Sequence, residues 1–169
     1  MPPGARTDPI IRPATTADLP RIGRLGAMLA EQHHRWDARR FIALGSGAPS
    51  RYAAFIGTQL GDPDRLVLVA EDHGDVVGYA FAGLEDYDYM SLRGPAGALY
   101  DIIVDPDFRG RGLGRRLLDA ILEDLRSRGT PRVVLSTATE NVPAQRLFER
   151  AGFRRTMIEM TRELEGEKP

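Results

Sequence analysis

The sequence predicts a mixed α/β fold: one sheet of six to seven strands with helices on both faces. Two observations carry this prediction. Apolar residues switch between helical spacing and short β-branched runs, in the order β-α-α-β-β-β-α-β-α-β. The early strands are joined by a tight turn and the later ones alternate with helices, so an antiparallel meander runs into parallel pairing.

Each element has its own warrant. Ile10, Ile11 and Arg12 form a short first strand. Thr15 or Thr16 caps a helix with Asp18 in its first turn. Leu19, Ile22, Leu25, Met28 and Leu29 then recur at helical spacing, which gives that helix one buried face. Residues 45–50 are rich in turn formers and read as a loop. A second helix spans 52–60 and ends at Gly61 and Pro63. Strands at 66–69 and 76–81 flank a tight turn at His73, Gly74 and Asp75. Residues 90–95 form another loop, and a strand at 98–104 stops at Asp105-Pro106. The next helix carries Leu113, Leu117, Leu118, Ile121, Leu122 and Leu125 on one side and is closed by Gly129. A strand at 133–135 precedes a helix at 141–150, with Ala144, Leu147, Phe148 and Ala151 inward and Gly152 at its end. A last strand is expected at 157–164, where it is available for pairing across a homodimer. Residues 1–8 read as a flexible terminus and 9–165 as a single domain.

Composition narrows the function classes. Of the 169 residues, 42% are hydrophobic and 28% charged, the balance of a globular protein able to bury its own core. The net charge of -1 gives no global reason to expect a nucleic-acid or anionic-membrane partner. Without cysteine there is no disulfide, thiolate metal site or cysteine nucleophile. No metal is expected, because His33, His34 and His73 are the only histidines and adjacent ones cannot share a helix face. No signal peptide or membrane span is legible, and a cytoplasmic location is expected.

The stretch Arg109-Gly110-Arg111-Gly112-Leu113-Gly114 follows a strand and opens a helix. The first amides of a helix lack internal partners and carry the positive end of its dipole. Alternating glycines allow an anion to approach, and Arg109, Arg111, Arg115 and Arg116 add positive charge. The combination suits a pyrophosphate, the bland alternative being a strand–helix turn with solvated arginines. A dinucleotide fingerprint fails, since it needs glycine at Leu117 or Arg115, and a P-loop fails for want of Gly-Lys-Ser/Thr.

At these residues the sequence resembles the GNAT N-acetyltransferase superfamily. Arg109, Gly112 and Gly114 after the strand at 98–104 look like the family's motif A. Asn141-Val-Pro-Ala144-Gln-Arg-Leu147-Phe148-Glu-Arg-Ala-Gly152-Phe153 resembles motif B, and Ile11-Arg12-Pro13-Ala14 with Asp18-Leu19 resembles the family's opening. The resemblance covers residues 9 to 165. It implies that acetyl-CoA lies in a V-shaped splay between the strands at 98–104 and 133–136. Ile102, Ile103 and Val104 would pair with the pantetheine arm. The amides of Arg109, Gly110, Arg111, Gly112, Leu113, Gly114 and Arg115 would hold the pyrophosphate. Asn141 matches a residue that seats the cofactor, and it is also placed to be a helix N-cap.

The implied activity is direct transfer of an acetyl group from acetyl-CoA to a primary amine of a small molecule or peptide. A backbone amide near Val104 is an oxyanion donor if the strand bulges there. The sequence departs from the family at two places. Phe148 stands where many members have a tyrosine acid, and Tyr100, before Asp101, stands where many have a glutamate base. Tyr100 is then a proton shuttle, a packing aromatic or part of a substrate wall. These departures keep open a non-catalytic acyl-CoA-binding or regulatory domain. For the acceptor, Trp36, Tyr87 and Tyr89 are the candidate contacts, aromatics beside carboxylates that suit a cationic amine.

Overall fold

The computed structural model describes residues 8–164. The expected flexible terminus lies outside the described residues except for Asp8, as does Glu165 at the end of the expected domain. The chain forms β1 (Ile10–Pro13), α1 (Leu19–Trp36), α2 (Ala48–Gln59), β2 (Arg65–Asp72), β3 (Asp75–Glu85), β4 (Ala96–Val104), α3 (Leu113–Ser127), β5 (Val133–Leu135) and α4 (Val142–Arg150). The sheet has five strands in the order β1-β2-β3-β4-β5. The first three pairings are antiparallel and β4–β5 is parallel.

Helices cover both faces. On one face α3 and α4 press Leu117, Leu118, Ile121 and Phe148 against Leu66, Leu68, Ala80 and Leu99. On the other, Ile22 and Leu25 of α1 and Ile56 of α2 meet Val67, Val69, Tyr79, Phe81 and Ile103. The alternation along β2 sends 66 and 68 to one face and 67 and 69 to the other, so a strand buried on both sides reads as a continuous apolar run. The β2–β3 turn places His73 (φ 51°) and Gly74 (φ 89°) both in the left-handed region, the geometry that matches strand twist.

Three expectations need correction. Among the described residues the sheet has five strands, because residues 157–164 form no ladder; Met157, Ile158, Met160 and Leu164 are all exposed. The segment has strand-like residues, yet a strand exists only where a second chain segment offers its hydrogen bonds. The second helix begins at Ala48 rather than 52, with Pro49 in its first turn, where a missing N–H costs nothing. The Thr15 region forms a 3-10 turn, Thr16–Asp18, and α1 starts only at Leu19. Asp18 is buried there, accepting from the Thr15 N–H (2.7 Å) and from both terminal nitrogens of Arg12 (2.8 and 2.9 Å). No helix among the described residues is long and apolar enough to cross a membrane.

Candidate active site

β4 and β5 pair only over Gly97, Ala98 and Leu99. Beyond Leu99, β4 continues to Val104 with β3 on one side and, among the described residues, no strand on the other, while the chain after Leu135 departs toward Asn141. A cavity of about 260 Å³ occupies this splay. Leu99, Tyr100, Asp101 and Ile102 line it from β4, and Ser136, Thr137, Asn141 and Phe148 from the opposite wall. Tyr52, His33 and Phe41 close it from the α1–α2 side.

A bulge in β4 decides which side chains reach this opening. Phe81 pairs with Asp101 and Ala82 with Leu99, leaving Tyr100 without a partner. Leu99 and Ile102 face α3, but both Tyr100 and Asp101 turn toward the α1–α2 side. The bulge lies at Tyr100 and not at Val104, where the oxyanion amide was expected.

Asp101 is a carboxylate of this cavity wall that the sequence did not single out. Its Oδ2 accepts from the Tyr79 hydroxyl (3.2 Å), which lies 2.9 Å from the Tyr52 hydroxyl. Burial pushes the Asp101 carboxyl up to about 6 and also raises fully buried Tyr79. The Tyr52 ring reaches this relay because α1 offers a flat surface: a Cβ at Gly26 would lie 2.3 Å from that ring. The sequence signal was a lone carboxylate in the otherwise apolar run of β4.

Tyr100 is held differently. Its hydroxyl donates to Glu85 Oε1 and accepts from Arg65 Nη1, both at 3.0 Å, and its ring packs on Phe81 at 4.8 Å. Partial burial and the Glu85 carboxylate push the phenol up to about 12. A phenol in that state does not take protons near neutral pH, so the geometry favours the packing reading over the shuttle.

The glycine turn follows the open end of β4. Asp105 caps a 3-10 turn, Pro106–Phe108, by accepting from Asp107 N–H (3.0 Å). Gly110 (φ 77°) and Gly112 (φ 76°) are left-handed, and a Cβ at either would meet nothing, so backbone sign rather than crowding demands glycine. The first bond of α3 runs from Arg116 N–H to Gly112 O (3.1 Å). The amides of Leu113, Gly114 and Arg115 therefore have no intrahelical partner. A Cβ at Gly114 would make ordinary contact with Leu147 of α4 (3.6 Å). The arginines are partly engaged. Arg109 donates to Val104 O (3.1 Å), Arg111 lies over the Phe108 ring (5.0 Å), and Arg115 pairs with Asp119 (2.8 Å).

A second cavity, about 370 Å³, separates the end of α1 from this turn and is lined by Trp36, Arg35, Arg109 and Ile103. The fold thus brings Trp36 to the glycine turn, away from the other two aromatics named as acceptor contacts. Tyr87 and Tyr89 stack on each other (6.1 Å) in the loop before β4, at the strand's other end, and both are exposed. Asn141 caps α4, accepting from Ala144 N–H (3.3 Å), and lines the splay as well.

The model of the acetyltransferase (GNAT) family matches residues 30–153, which include the splay, the glycine turn and α4. The chain belongs to this family. Mycothiol acetyltransferase of Thermobispora bispora is 41% identical over 99 residues, which is 59% of this chain and 33% of that protein. The mycothiol acetyltransferase of Propionibacterium freudenreichii is 36% identical over 92 residues, 54% of this chain and 28% of its own. The chain matches about a third of the length of these curated relatives. Among solved GNAT-like structures, an aminoglycoside N-acetyltransferase, AAC(6')-Iy, in complex with CoA has a TM-score of 0.75 at 22% identity. That match covers 97% of this chain and 99% of the other. A mutant of the BH1408 protein from Bacillus halodurans has a TM-score of 0.77 at 24% identity, covering 92% and 99%. At these identities the likeness is one of fold.

Proposed function

We propose that the protein is an acetyl-CoA-dependent N-acetyltransferase that transfers the acetyl group directly to a primary amine. One observation carries the reading: the unpartnered edge of β4 runs straight into a helix N-terminus opened by two left-handed glycines. An extended arm fits the first and a pyrophosphate the second. Ile102, Ile103 and Val104 belong to that edge, and the amides from Arg109 to Arg115 belong to the phosphate end. Asn141 borders the opening from the other wall. Acetyl-CoA supplies a thioester: the amine nitrogen bonds to the carbonyl carbon as the carbon–sulfur bond breaks and the thiolate leaves.

The chain's own part is to align the amine and take its proton. Asp101, ionised above about pH 6, accepts that proton at the cavity wall. Tyr79 donates to the carboxylate and Tyr52 to Tyr79, which fixes the orientation of Asp101. Phe148 has no proton to give, so the departing thiolate is protonated from water. Alignment of the two reactants contributes the larger share of the acceleration.

Phe148 favours the second reading, a binding domain without turnover. Calorimetry with CoA and free-thiol release with acetyl-CoA and amines separate the two. Binding with thiol release supports the enzyme, and binding without release on any amine supports the second reading. Gly112→Asp, which puts a carboxylate and a strained φ into the turn, is expected to weaken CoA binding at least tenfold under both. Normal binding by that variant refutes the pyrophosphate assignment.

A further inference from the structure

Among the described residues, the splay cavity is lined by one carboxylate, Asp101, and by no lysine or arginine. His33, also in its wall, is tied through Nδ1 to Leu29 O (2.8 Å). The wall facing Asp101 from the α1–α2 side is apolar or aromatic: Leu29, Phe41, Ile42 and Tyr52. The rings continue outward as a chain. Tyr52 lies 6.1 Å from Phe55, Phe55 6.0 Å from Phe81, and Phe81 4.8 Å from Tyr100. Phe55, Ile42 and Tyr100 are 48%, 73% and 38% exposed, so apolar surface extends from the cavity to solvent.

The cation associated with this wall, Arg65, stands behind it. Its guanidinium lies over the Tyr100 ring (5.6 Å) and donates to the Tyr100 hydroxyl and to Leu84 O, and it does not line the cavity. An acceptor with a phosphate or carboxylate beside its amine would bury that anion without a partner. A polyamine would bury extra ammonium groups against rings with one carboxylate between them. A single ammonium on an apolar body meets neither cost: the cation is matched by Asp101 and the aromatic faces, and the body by the wall.

Resting on the acetyltransferase reading above, we propose that the acceptor is a primary monoamine on an alkyl or aryl body. Its ammonium is held by Asp101 and its body lies along Tyr52, Ile42 and Phe41.

The test uses the full chain with saturating acetyl-CoA, free-thiol release as readout, and calorimetry for acetyl-CoA alone. The probes are phenethylamine and hexylamine, with spermidine, kanamycin and glucosamine 6-phosphate as the contrasting amines. Phenethylamine or hexylamine is expected to have a kcat/KM at least tenfold above the others. Asp101→Asn is expected to raise KM for phenethylamine at least tenfold with the Kd for acetyl-CoA unchanged. Ile42 is exposed, so Ile42→Asp spares the fold; its added carboxylate is expected to improve spermidine relative to hexylamine at least fivefold. Preference for a polycation or a sugar phosphate overturns the inference, as does acetyl-CoA binding with no turnover of either monoamine, and both leave the cofactor reading standing. Failure to bind acetyl-CoA overturns that reading and the inference with it.

Discussion

Replacing Asp101 with asparagine is expected to stabilise the protein while it disables it. Burial pushes the carboxyl from its ordinary 3.8 up to about 6 in the fold. Moving from 3.8 to about 6 corresponds to about 3 kcal/mol of preference for the neutral form. Between about pH 4 and 6 the folded state holds a proton that the unfolded chain has lost, so rising pH costs stability across that window. Above pH 6 the full penalty is present, and below pH 4 it is absent. Asparagine is neutral at every pH and still offers an oxygen to the Tyr79 hydroxyl. Asp101→Asn should therefore gain about 2 kcal/mol at pH 8, read as a rise in Tm of about 4–8 °C. The gain should vanish near pH 4. Denaturation at both pH values, alongside thiol release, measures both effects. In the parent protein kcat/KM should climb with pH through about 6. A variant equally destabilised at pH 4 and pH 8 would refute the account of a buried, charge-penalised carboxylate.

The remaining predictions probe neighbouring parts of the structure. Gly26→Ala drives a methyl group into the Tyr52 ring (2.3 Å) and should cost about 1–3 kcal/mol, raising KM for the amine more than for acetyl-CoA. Tyr100→Phe keeps the ring against Phe81 and removes only the hydroxyl bound to Glu85 and Arg65, so kcat should stay within about threefold. A thousandfold loss would restore the proton-shuttle role. Arg12→Ala strips buried Asp18 of its guanidinium and should cost about 3 kcal/mol by denaturant melting at pH 7. Asp18 is held down to about 2, chiefly by that hydrogen bond, so its contribution is complete above pH 4 and lost as pH falls through 2. The variant's acid unfolding should accordingly begin at higher pH.

Local information was enough for much of this molecule. Helical spacing from Leu113 to Leu125 is written in consecutive side chains, and α3 forms with that face buried. Gly110 and Gly112 announce their backbone because few other residues adopt positive φ cheaply. The motifs at the glycine turn and at α4 likewise carry the family in their residues alone. Other features depend on partners distant in the chain. The bulge that turns both Tyr100 and Asp101 to one side is a mismatch between β3 and β4, and neither strand encodes it alone. Asp101 stands in sequence as one carboxylate in an apolar strand, and its raised pKa comes only from burial beside Tyr79, Tyr52 and the flat surface at Gly26. The stretch at 157–164 has the residues of a strand and no partner among the described residues. Propensity and backbone sign are properties of neighbours in sequence. Desolvation, register and pairing are properties of neighbours in space, so the sequence determined the glycine turn at the start of α3 and the tertiary structure decided that Asp101 is the carboxylate buried in the splay.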